Sequence, residues 1–212
     1  MAVGGLTPSL GTFRTIRAST DLPLVVMLRP RPSGFAYSQS EFTAMLEDMA
    51  AFVDEGADSF VVGVLRPDAT IDEERVHAFV QTASGKDVAF HRAFDATPDP
   101  IRALETLVQL GVKRVLTSGH ATTALQGVEM LKTLVTQSKS RIDILAGGGV
   151  RPDNVREIVA RSGVKQVHLG PFSQKLDQSI ASSEASASIY GATYPIPDAL
   201  AISRVVVALR LG

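Results

Sequence analysis

The chain has 212 residues, with Lys+Arg 21 against Asp+Glu 22, a formal charge of −1, four His, and neither Cys nor Trp. The even charge balance excludes a broad phosphate-neutralising surface for nucleic acid, though not a small anionic ligand, and the 45 % hydrophobic content excludes global disorder. No apolar run reaches the roughly 18 residues of a membrane span, the first residues lack the pattern of a signal peptide, and without cysteine there are no disulfides, thiolate metal sites or cysteine nucleophiles.

In chain order, short apolar runs at 24–29, 59–64, 87–91, 113–117, 142–146 and 165–169 alternate with amphipathic stretches. The runs are rich in Val, Leu and Ile and nearly continuous, as in parallel strands buried on both faces. They recur about every 28 residues, the length of one strand and one crossover helix. Between the first two, Ser38 and Glu41 make a capping box. Phe42, Met45, Leu46, Met49, Phe52 and Val53 follow at helical spacing, with a stop at Gly56. The next helix is expected from about Thr70 to Gly85, and another from the Thr97-Pro98 cap to Gly111. Leu125, Val128, Leu131, Leu134 and Val135 mark a fourth, Pro152-Asp153 opens a fifth, and a closing helix runs from about Pro197 to Leu209. The serine-rich stretch 179–194 reads as a flexible loop before it. Six strand–helix repeats give an α/β class in one domain, 1–212, either as a ring of parallel strands or as an open doubly wound sheet.

In both arrangements ligands sit beyond the C-terminal ends of the strands. The residues there are Arg29 to Gly34, His91 to Asp95, Thr117 to His120, Gly147 to Gly149, and His168 with Gly170. Gly147-Gly148-Gly149 before a helix, with Ser118 and Gly119 on the neighbouring strand, reads as an anion or phosphate loop. Arg29, Arg31 and Arg92 supply guanidinium groups for a carboxylate or phosphate. His91, four residues before Asp95, reads as an imidazole oriented by a carboxylate for proton transfer or metal ligation. In this reading the catalytic residues are His91, Asp95 and Arg29, and the chain is a barrel enzyme acting on a small phosphorylated or carboxylated metabolite. His168 is either a core residue or a ligand.

Five motifs occur in order: Gly4-Gly5-Leu6-Thr7-Pro8-Ser9, Arg29-Pro30-Arg31, Phe90-His91-Arg92-Ala93-Phe94-Asp95, Leu116-Thr117-Ser118-Gly119 and Ala146-Gly147-Gly148-Gly149-Val150. Together they resemble the CutC family, known as copper homeostasis proteins, from Gly4 to about Gly170. The resemblance implies a barrel of the triosephosphate isomerase (TIM) type, a role in copper handling, Cu(I) binding in some members, and homo-oligomers. It also implies a strand, a helix and a second strand ahead of the first motif. The expectation for this chain is therefore an incomplete TIM-type barrel of about six strands, whose two edges stay open or pair with another subunit. Since Cu(I) prefers sulfur ligands and the chain has no cysteine, the imidazoles of His91 and His168 are the copper ligands that remain. The expected partners are a small anion or a metal ion, and the expected location is cytoplasmic.

Overall fold

The structure, a computed structural model, describes residues 5–180, 188 and 191–210. Helix α1 (Leu10–Ser19) precedes strand β1 (Val25–Met27). Then follow α2 (Gln39–Asp54), β2 (Ser59–Val62), α3 (Glu73–Thr82), β3 (Asp87–Phe90), a 3-10 helix (Arg92–Ala96), α4 (Pro100–Gln109) and β4 (Arg114–Thr117). The chain continues through α5 (Val128–Ser138), β5 (Asp143–Ala146), α6 (Val155–Ser162), β6 (Gln166–Val167), β7 (Phe172–Leu176), β8 (Thr193–Pro197) and α7 (Ala199–Arg210).

Strands β1 to β6 form one parallel sheet in strictly sequential order, and β7 and β8 form a separate antiparallel pair. A doubly wound sheet reverses its strand order at a switch point. An unbroken order with right-handed crossovers puts every helix on the same side and curls the sheet. The fold is thus an incomplete TIM-type barrel, a curled six-stranded half-barrel with helices outside.

The helix-facing side of the sheet carries the core. Phe60, Val62, Phe90 and Val115 of the strands meet Met45, Met49, Phe52, Phe79, Leu104, Leu107, Leu131 and Leu134 of the helices, all at most 1 % exposed. Burial on both faces, as the apolar content suggests, holds at the centre of the sheet, where Val88, Ala89 and Phe90 of β3 and Val115, Leu116 and Thr117 of β4 are all buried, and fails toward its β1 edge. Along β2 half-exposed and buried residues alternate, and Val25 of β1 is 50 % exposed. Six strands do not close a ring, so the concave face is only partly filled.

Local chemistry explains the helix starts. The Ser38–Glu41 capping box forms as read from the sequence, with Ser38 Oγ accepting from Glu41 N and Glu41 Oε2 from Ser38 N. Three starts move downstream. Asp72 caps α3 rather than Thr70, and Asp99 caps α4, accepting from Ile101 N and Arg102 N, with Pro100 in the first turn. Thr97 donates its hydroxyl to Phe94 O instead, closing the 3-10 helix. Helix α6 starts at Val155 behind Asn154, past Pro152-Asp153. The stretch 179–194 lies largely outside the described residues, and its end, Thr193-Tyr194, is already part of β8. Among the described residues no helix is long and apolar enough to cross a membrane.

Candidate functional site

The C-terminal rim of the sheet gathers the charged and glycine-rich segments. At the end of β1, Arg29 is stitched to the first motif. Its N–H donates to Thr7 Oγ1 at 2.8 Å, its carbonyl accepts from Thr7 N at 3.0 Å, and its guanidinium donates to Gly5 O at 3.1 Å. The side chain is nearly buried, at 9 % exposure, and its Cζ lies 5.6 Å from the centroid of the Phe35 ring. Arg31 is committed to its own loop. It pairs with Glu41 at 2.5 Å, donates to Ser33 O and Ala36 O, and lies over the Tyr37 ring. That hydrogen bond, helped by Ser38, pulls the Glu41 carboxyl down to about 2. The structure therefore makes Arg31 a clamp on the loop between β1 and α2, not a ligand-holding group. Burial pushes the Tyr37 phenol up, against the opposing charges of Arg29 and Arg31.

His91 follows β3 and is 3 % exposed. Its Nδ1 accepts from Ala93 N at 3.0 Å, so the imidazole caps the 3-10 helix. Its ring rests against Phe35 at 5.2 Å and Phe90 at 6.0 Å. Room for it comes from Gly63, where a Cβ would lie 2.0 Å from Cε1. Burial, reinforced by the charge of Arg29, lowers the His91 pKa to about 4. In a neutral ring that accepts at Nδ1, the proton sits on Nε2. Nε2 is enclosed and has no hydrogen-bond partner among the described residues. His91 is accordingly a donor at Nε2, where the sequence suggested proton transfer or metal ligation.

Asp95 does not orient His91. Its carboxylate, 12 % exposed, accepts from Thr117 Oγ1, from Ser118 N at 3.1 and 3.2 Å, from Ser118 Oγ at 3.0 Å and from His120 N at 3.3 Å. Arg92 bridges the same group, donating from Nε to Asp95 at 2.8 Å and from Nη2 to Ser118 Oγ at 2.8 Å. Gly119 N donates to Thr117 Oγ1. Of the Ser118 and Gly119 donors expected to hold an external anion, those of Ser118 thus reach the carboxylate of Asp95 and that of Gly119 reaches Thr117 Oγ1. The glycine loop is tied down in turn. Gly147 N donates to Thr117 O, Gly148 O accepts from Ala124 N, and Gly149 O accepts from Asn154 Nδ2. A Cβ on Gly148 would lie 3.2 Å from Arg92 Nη1, so glycine there lets the guanidinium lie against the backbone.

His168 follows β6, with its backbone N–H on Ala146 O and its side chain exposed beside Gly147. His77 is exposed on α3. The rim therefore divides into an Arg29–Phe35–His91 cluster under the β1 loop and an Arg92–Asp95–Ser118 cluster against the glycine loop. The sequence reading missed Gly63 and Phe35. Gly63, inside the apolar run 59–64, carried a signal of close approach; Phe35 carried none.

The donor set does not fit a resident copper centre. The chain has no cysteine, Met45 and Met49 are wholly buried in the core, Met27 lies on β1 and Met130 on α5, each partly buried and on different elements, and among the described residues no three His, Asp or Glu side chains group as metal ligands. His91 Nε2 carries the proton where a metal would need the lone pair.

Comparisons with known proteins agree with this fold. A CutC protein of Streptococcus agalactiae superposes with a TM-score of 0.75 at 34 % identity, over 79 % of this chain and 83 % of that one. An aldolase at 15 % identity and TM-score 0.56 shares the fold alone. A CutC family protein of Treponema denticola is 43 % identical over 203 residues, 95 % of this chain and 81 % of that protein. The human copper homeostasis protein cutC homolog is 40 % identical over 168 residues, 79 % of this chain and 62 % of that one. The family model for CutC matches residues 1–173, and with these relatives it establishes that the chain belongs to the CutC family.

Proposed function

We propose that the chain acts in copper homeostasis, and that copper meets it as transient cargo at an exposed imidazole. The observation that carries the first half is the 40 % identity to the human relative of that name, and 41 % to the mouse one. The second half rests on the donors described above. With thiolates absent, Met45 and Met49 buried and Met27 and Met130 partly buried, His168 is the exposed imidazole at the strand ends. One imidazole holds Cu(I) more weakly than thiolates do, which suits exchange rather than storage.

Titration of Cu(I) under reducing conditions against a competing chelator tests the second half. The expected result is weak binding that His168→Ala removes and His91→Asn leaves in place. Binding that resists the chelator, or that His168→Ala leaves unchanged, sinks the exposed-imidazole reading. Deletion of the gene in its host tests the first half, and unchanged copper content and copper tolerance would overturn it.

A further inference from the structure

We propose that Arg29 and His91 form a binding site for a small anion, a carboxylate or phosphate group, and that Phe35 is its cover. Three observations meet at this point. The first is the Nε2 of His91, a donor enclosed within the protein on a side chain 3 % exposed and with no partner among the described residues. A buried donor left unsatisfied destabilises the fold, and a ligand that makes the bond removes that cost. The second is the positive charge of Arg29, which lies against the same Phe35 ring as His91, at 5.6 and 5.2 Å. A cation beside a neutral N–H donor, both out of water, matches one acceptor group with two oxygens. Arg29 also donates to Gly5 O, and what it brings to the anion is its charge, set beside the neutral donor of His91.

The third is the position of Phe35. It belongs to the loop between β1 and α2, just after Ser33 and Gly34, whose φ angles are +61° and +56°. On its outer side it lines a cavity of about 340 Å³ together with Arg31, Gly34, Leu65, Arg66 and Pro67. On its inner side it covers the Arg29–His91 pair. The ring is therefore the wall between an open, arginine-rimmed cavity and a buried pair of anion-binding donors. A swing of this one side chain joins the two. The geometry makes His91 a hydrogen-bond donor to the ligand, with its proton on Nε2 and its Nδ1 spent on Ala93.

The test uses the full chain labelled with ¹⁵N-histidine and titrated with inorganic phosphate and, separately, acetate. Wild-type protein is expected to show a shift of the His91 Nε2–H resonance with at least one of the two probes, and the probe that acts identifies the ligand chemistry. His91→Asn keeps an oxygen to accept from Ala93 N, but its amide ends short of the position of Nε2 and places no donor there. It and Arg29→Gln are each expected to weaken binding about tenfold or more. Phe35→Ala is expected to tighten apparent binding severalfold, because no cover has to move. A His91 resonance that neither probe shifts overturns the site, as does binding that His91→Asn and Arg29→Gln leave unchanged. Should those variants fail to fold, Phe35→Ala carries the decision, and an affinity equal to wild type overturns the cover.

Discussion

A Cβ on Gly63 would lie 2.0 Å from Cε1, 2.2 Å from Nδ1 and 2.7 Å from Nε2 of His91, so residue 63 and the imidazole occupy one volume. Gly63→Ala is therefore expected to expel the ring from its cap on Ala93 and to cost roughly 1–3 kcal/mol, as overpacked core substitutions do. Thermal unfolding checks this, with a fall in Tm of about 2–4 °C per kcal/mol for a chain of this size. An unchanged Tm would mean that the ring has room elsewhere. His91 also makes stability depend on pH. Its pKa is about 4 in the fold against 6.5 for an ordinary imidazole, so between these values the unfolded chain binds the proton that the folded chain refuses. The stabilisation of the neutral ring is whole above pH 6.5 and is lost as pH falls toward 4, by on the order of 3 kcal/mol. Urea unfolding across that window is expected to show wild type losing more stability on acidification than His91→Asn. Equal slopes for the two would show that the imidazole titrates normally in the fold.

The 3-10 helix Arg92–Ala96 is held to the loop after β4 by the carboxylate of Asp95, with Arg92 adding one bond to Ser118 Oγ. Removing it strands the N–H groups of Ser118 and His120 and the hydroxyl of Thr117 together, and leaves Arg92 without its partner at 2.8 Å. Asp95→Ala is expected to cost about 2–4 kcal/mol in urea unfolding and to speed amide exchange at 118–120. A cost below about 1 kcal/mol would show that water replaces the carboxylate. Neither the nest of donors around Asp95 nor the pairing of His91 with Gly63 was legible in sequence, because each joins segments 22 to 28 residues apart. Signals that act within one turn were legible, as the Ser38–Glu41 box demonstrates. Where two such signals compete, the sequence misleads. Thr97-Pro98 and Asp99-Pro100 offer the same pattern, and the carboxylate that accepts two N–H groups starts the helix. Helix α1 went unread because it buries a single residue, Phe13, edge-on against Phe52, too little to make an apolar stripe. The β7–β8 pair went unread because residues 177–192 separate its two strands in sequence, far more than the roughly two to five that carry a hairpin signal.

At the scale of the whole molecule, six strands in sequential order give the class and the rim, since regular spacing of apolar runs is a property of the entire chain. The same order leaves an edge at β1, which pairs with β2 alone along Val25–Met27 among the described residues. Edge strands template association through their backbone groups, and large exposed apolar side chains beside them strengthen the tendency. On β1 and just before it stand Val25 at 50 % exposure and Leu22 at 70 %. The occupant expected at this edge is a second copy of the chain. Light scattering is therefore expected to show a mass that rises with protein concentration. Val25→Lys places a charge on the edge strand at a half-exposed position, which opposes strand addition without emptying the core. It is expected to reduce the association while leaving stability within about 0.5 kcal/mol of wild type, as a surface change does. If the mass stays that of one chain at every concentration, the edge is shielded. If Val25→Lys associates as wild type does, the contact lies elsewhere, with α7 the next surface to test, since it exposes Leu200 at 61 % and Val207 at 52 %.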